Sequence, residues 1–125
     1  MIVGVGVDLV DLQRFERTVA RTPRLLPRLF TAGERMLADG RERPVRSLAA
    51  RFAAKEALVK ALGEATLGAW SEIEVVSDAH GKPSFLLHGA IAAAAAERGA
   101  EALHLSLSHD GGLAIAYVVA ERRSA

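Results

Sequence analysis

The chain has 125 residues, half of them hydrophobic, and a formal net charge of +1. That is enough for one modest core, and it provides no global field to draw nucleic acid or an anionic membrane. Cysteine is absent, which excludes disulfides and thiolate metal sites, and the 4 histidines (80, 88, 104 and 109) lack zinc-type spacing. No apolar stretch is long enough to span a bilayer, and the N-terminus shows no basic leader followed by a hydrophobic run. A single cytoplasmic domain over residues 1–125 is expected.

Residues 2–10 alternate small and branched side chains and predict a strand, with Val3, Val5, Val7 and Leu9 on one face and Gly4, Gly6 and Asp8 on the other. Residues 11–21 predict a helix, interrupted at Thr22-Pro23, and a short helix follows to Leu29. Thr31-Ala32-Gly33-Glu34 is a capping-box pattern, opening a helix expected to stop near Gly40. Pro44 suits the first position of a long helix and Gly63 the position just past its end. Residues 72–77 and 84–88 predict a hairpin across the 78–81 turn. An alanine-rich helix, 90–98, ends at Gly99. Residues 102–108 and 113–121 form a second hairpin across Asp110-Gly111-Gly112. The fold class is α+β: a mainly antiparallel sheet with one long central helix.

Two carboxylates stand out. On a helical wheel Val45, Leu48, Ala49, Phe52 and Val59 share one arc, and Glu56 falls near its middle. An acid buried there would need a partner or a metal, and Lys60, four residues on, offers the simpler ion pair. Asp8 ends a hydrophobic strand on a glycine face, where a ligand or another backbone can approach closely; it equally suits a helix N-cap. Two carboxylates with phosphate oxygens and water are a common way to hold Mg²⁺.

Other signals are weaker. Gly4-Val5-Gly6 lacks the third glycine of a dinucleotide fingerprint, and there is no Walker sequence or nucleophile elbow. Ser106, Ser108 and His109, at a strand end, read as hydrogen-bonding groups more readily than as nucleophile and base. Arg14, Arg17, Arg21, Arg24 and Arg28 are spaced to share a helix face, although Pro23 argues against one continuous helix. They form either a solvated basic face or a docking face for an acidic protein.

Gly4-Val5-Gly6-Val7-Asp8-Leu9-Val10 resembles the opening motif of the holo-[acyl-carrier-protein] synthases, the small trimeric branch of the 4′-phosphopantetheinyl transferases. Phe30 to Glu34, Arg51 to Ala57 continuing to Gly63, Gly81-Lys82-Pro83, and His104 to His109 resemble that family's later motifs, in family order. The resemblance implies transfer of the phosphopantetheine arm of coenzyme A to a serine of an apo acyl carrier protein, releasing adenosine 3′,5′-bisphosphate. It implies Mg²⁺ held by Asp8 and Glu56, with Lys60 beside the diphosphate. Asp8, Glu56 and Lys60 become the catalytic set, with Glu56, directly or through water, as the leading candidate for the base. Coenzyme A contacts are implied for Arg46, Arg51, Lys60, Gly63, Gly81, Lys82, Pro83, Ser108 and His109. Docking of the carrier is implied for Arg14, Arg21, Arg24 and Phe52, and a homotrimer with sites between subunits is expected. Val10 stands where the larger, monomeric branch has another carboxylate, so two protein carboxylates are expected at the metal. The role of Asp11 and of segment 63–71 stays open. A Mg²⁺-dependent nucleotide-diphosphate hydrolase and a coenzyme A-binding or carrier-docking module are the competing readings.

Overall fold

A strand opens the chain, and its glycines set the architecture. The computed structural model describes residues 1–63 and 69–123. β1 (Ile2–Asp11) runs straight into α1 (Leu12–Arg21). Asp11 caps that helix: its side chain accepts from the Arg14 N–H at 2.9 Å. The cap is therefore Asp11 and not Asp8, which is left for other work. α1 buries Leu12, Phe15 and Val19 and turns Arg14, Arg17 and Arg21 to solvent. Thr22 and Pro23 end it, so the arginine series is split between α1 and α2 (Leu25–Leu29).

α3 (Ala32–Arg35) carries the full capping box: the Thr31 hydroxyl accepts from the Glu34 N–H at 3.1 Å, and Glu34 Oε1 accepts from the Thr31 N–H at 2.9 Å. It stops at Arg35, short of the expected Gly40. Met36 is extended and bridges to Glu42, and Leu37 N–H donates to Arg41 at 2.7 Å. This tight return comes from pairing between residues six apart, which helical spacing does not report.

α4 (Val45–Leu62) is the central helix. Pro44 is its N-cap and not its first helical residue; Gly63 closes it in the left-handed region at φ 94°. The 3₁₀ turn Trp70–Glu72 leads into β2 (Ile73–Ser77), which pairs with β3 (Pro83–Leu87). α5 (Gly89–Glu97) precedes β4 (Ala102–Asp110) and β5 (Leu113–Glu121). The larger sheet has the order β1-β5-β4, antiparallel throughout.

α4 lies across β1 and β5, and the contact is unusually close. A Cβ on Gly4 would overlap the Ala61 carbonyl oxygen, and one on Gly6 the Ala57 carbonyl oxygen. The glycine face of β1 therefore meets a helix backbone, not a ligand. Ala114, Ala116, Val118 and Ala120 of β5 continue this small-residue surface and are fully buried. Val3 departs from the expected alternation: the register shifts between Ile2 and Gly4, and Val3 packs against the core. Val5, Val7 and Leu9 point away from α4 and are 49%, 48% and 58% exposed, beside Tyr117 of β5 at 47%.

The wheel finds only part of the buried side of α4: Leu48 and Ala49 of its arc are buried, but Ala50, Ala53, Ala54, Ala57, Leu58 and Ala61 form the rest, while Phe52, Glu56 and Val59 are only half buried. Alanines carry little weight in a hydrophobic arc, yet they are what a helix packed on a glycine strand must present. The arc around Glu56 instead faces a groove towards α1.

Candidate active site

Asp8 sits opposite Ala116 in the β1–β5 register, on the face covered by α4. The glycine packing of β1 brings it to the last two turns of that helix. Lys60 Nζ donates to Asp8 Oδ1 at 3.1 Å and to the Val7 carbonyl at 3.0 Å. The ion pair expected between Glu56 and Lys60 thus forms between Asp8 and Lys60. Asp8 and Glu56 line the same open cavity of about 480 Å³. Burial, and then the charge of Asp8, push the Glu56 carboxyl above its ordinary range, against the opposite pull of Lys60.

The rest of this cavity is largely apolar: Phe15, Val19, Leu25, Leu29 and Phe52 form its walls, with Arg14 at the rim. Phe52 touches the ring of Phe15 on one side and that of Trp70 on the other, at centroid distances of 5.9 and 5.5 Å. Trp70 therefore packs behind Phe52, while 64–68 of the open segment lie outside the described residues. Arg21 and Arg24 are exposed at the α1–α2 junction.

Arg51 lies on another side of α4. It is buried, donates to Ser47 Oγ at 3.0 Å and to Ser77 Oγ at 3.2 Å, and its Nε has no hydrogen-bond partner. Sequence reading paired it with Arg46, which is exposed. The structure pairs it with Arg43, whose Nη1 shares the same Ser47 hydroxyl at 3.2 Å. Burial, and then the nearby Arg43, lower the Arg51 pKa to about 10, against the pull of Glu34. Two guanidiniums that share the Ser47 hydroxyl line a cavity of about 430 Å³, with Glu74 also on its wall, and offer donors to an anion. Arg43 carries no spacing signal; it reaches the cavity through the return of Met36 to Glu42.

Gly81-Lys82-Pro83 forms the β2–β3 turn. The Asp78 carboxylate accepts from the Lys82 N–H at 2.9 Å, and Pro83 pairs with Ser77, which holds Arg51. The turn and Arg51 are thus linked through one residue. Ser108 and His109 are exposed on β4, paired with Ile115 and Ala114. Asp8, Glu56, Lys60, Phe52 and Arg14 therefore converge; Arg51 with the 81–83 turn forms a second locus; Ser108 and His109 form a third. Gly63 caps α4 one turn beyond Lys60.

Among the described residues, no group of three or more His, Asp or Glu gathers as a metal cluster. Asp8 and Glu56 fit a cation that takes its other oxygens from substrate: both carboxylates border one cavity, their mutual repulsion shows in Glu56, and Lys60 already supplies positive charge to Asp8. No helix among the described residues is long and apolar enough to cross a membrane.

Comparison with known proteins identifies the fold and the family. Residues 4–118 match the family model of the 4′-phosphopantetheinyl transferase superfamily. A holo-[acyl-carrier-protein] synthase of Clavibacter sepedonicus is 58% identical over 125 residues, covering 100% of both chains. The crystal structure of holo-[acyl-carrier-protein] synthase from Neisseria meningitidis superposes with a TM-score of 0.87 at 36% identity, over 98% of this chain and 100% of that one. The synthase–CoA complex from Chronobacterium ammoniagenes superposes with a TM-score of 0.81 at 32% identity, over 97% and 98%. The α+β architecture with its long helix is thus the phosphopantetheinyl transferase fold, and the chain belongs to the 4′-phosphopantetheinyl transferase superfamily.

Proposed function

We propose that the chain transfers 4′-phosphopantetheine from coenzyme A to a serine of an apo acyl carrier protein, acting in the cytoplasm. The observation that carries this reading is that Asp8 and Glu56 line one largely apolar cavity together with Arg14, with Lys60 bonded to Asp8 at 3.1 Å.

Asp8 and Glu56 would hold Mg²⁺. Bound there, the ion supplies charge neutralisation for the coenzyme A diphosphate. Lys60 lies within hydrogen-bond reach of Asp8 and stabilises charge gathering on the departing phosphate. Glu56 lines the same cavity as Asp8 and is placed to take the serine proton, directly or through a water. Phe15, Phe52 and Leu29 keep the neighbouring surface apolar and limit water. Exposed Arg14, Arg21 and Arg24, with Phe52 between them and the site, provide charge and apolar contact for an acidic carrier helix.

Arg51, with Arg43 and the 81–83 turn, is the place for a phosphate group at the nucleoside end of coenzyme A. This locus and the carboxylates occupy different faces of α4. One substrate meeting both is best served by two chains. The exposed apolar strip of Val5, Val7, Leu9 and Tyr117 is the surface on which copies pack, and a homotrimer with sites between subunits follows. Ser108, paired with Ile115 beside Leu9, borders that strip, and exposed His109 follows it at the end of β4; both would reach a neighbour's ligand.

The test follows adenosine 3′,5′-bisphosphate release from coenzyme A with and without an apo carrier protein. The transfer reading predicts release only with the carrier. Release without a carrier would point to the hydrolase reading; no release with several carriers would leave a binding module.

A further inference from the structure

Glu34 and Lys55 are completely shielded from solvent, with Nζ 2.7 Å from Oε1. Lys55 also donates to the Leu29 carbonyl at 2.6 Å and the Trp70 carbonyl at 3.2 Å, so its three protons are all used. Glu34 Oε1 accepts from the Thr31 N–H and Oε2 from the Val75 N–H, both at 2.9 Å. Removing two charges from water offsets most of what their attraction gains, so such a pair is a poor device for stability alone.

Its placement supplies another reason. The cavity around Arg43 and Arg51 is built from three pieces of chain: the stretch from Gly33 to Arg43, α4, and β2. Those pieces meet at this pair. Glu34 comes from α3, Lys55 from α4, and the Val75 N–H from β2. The Glu34 carbonyl also accepts from Arg43 Nε at 2.6 Å. Moving Glu34 moves Arg43, and releasing Val75 frees the strand that carries Ser77 to Arg51.

We propose that the buried Glu34–Lys55 pair is a positioning device that sets the walls of the guanidinium cavity, and through them the affinity for coenzyme A. Through Glu34 it acts on binding; the Asp8–Glu56–Lys60 cluster is placed separately, by the packing of Gly4 and Gly6 on α4. The inference rests on the reading that this cavity takes a coenzyme A phosphate.

Lys55→Met keeps the stem and removes the ammonium; Glu34→Gln with Lys55→Met removes both charges and serves if the single variant is unfolded at the assay temperature. In the folded variant KM for coenzyme A rises about tenfold while kcat stays within about threefold. A fall in kcat with KM unchanged, or no change in either, overturns the proposal. Arg51→Ala separates the two readings: if it leaves KM unchanged, the cavity reading itself fails; if it raises KM and Lys55→Met does not, only the positioning role fails. In the unsubstituted protein, adenosine 3′,5′-bisphosphate slows hydrogen exchange at the Val75 amide; unaltered exchange contradicts the coupling.

Discussion

Burial and the charge of Asp8 raise the Glu56 carboxyl, and this has a consequence for stability. The folded protein holds that proton more tightly than the unfolded chain, so ionised Glu56 costs stability above its raised pKa. The cost vanishes below the ordinary carboxylate range. In the presence of a chelator, Glu56→Gln is expected to melt above the unsubstituted chain at neutral pH and to converge with it in acid. Equal melting at neutral pH would contradict the strain. The same variant is expected to lose about 10²-fold or more in kcat at saturating Mg²⁺, and retention of wild-type turnover would remove the base role. Both carboxylates were legible in the sequence only as anomalies. The wheel reached Glu56 through an arc that turned out to line a groove, because the alanines that pack on glycine do not register as a hydrophobic face. Lys55 stood inside the Arg51–Ala57 motif with no role assigned, because its partner Glu34 is brought in by tertiary packing from 21 residues away.

At the scale of elements, the approach of β1 to α4 depends on two absent side chains. Gly6→Ala places a methyl group into the Ala57 carbonyl, and neither backbone can yield without moving Asp8 from Glu56. Destabilisation of about 3 kcal/mol or more is expected in chemical denaturation, with loss of activity in what remains folded. A near-neutral effect would show that the helix and strand can part. Asp11→Ala removes the α1 cap, and a loss of about 1 kcal/mol is expected without a change in Mg²⁺ dependence; altered metal dependence would place Asp11 in the site. The caps, turns and hairpins were readable because their signals are local: Thr31 with Glu34, Gly63 past the helix, Gly111-Gly112 between strands. The length of α3 was not, since Met36 is held by Glu42 rather than by its own helix.

The whole molecule presents an open sheet face and separated binding loci, which motif order alone expressed as a resemblance and the coordinates express as geometry. If Glu56 of one chain and Arg51 of another share a site, mixed oligomers should show it. Glu56→Gln and Arg51→Ala proteins, refolded together and assayed at low coenzyme A, are expected to regain activity in about a quarter of their sites by random assortment. A mixture no more active than its components would assign both residues to one chain. The central claim is phosphopantetheine transfer, and intact-mass measurement tests it most directly. An apo carrier protein incubated with the chain, coenzyme A and Mg²⁺ is expected to gain one phosphopantetheine group at a serine, to gain it about 10²-fold more slowly with Glu56→Gln, and to gain nothing with excess chelator. A carrier of unchanged mass after incubation with the unsubstituted chain, across several carrier proteins, would contradict it.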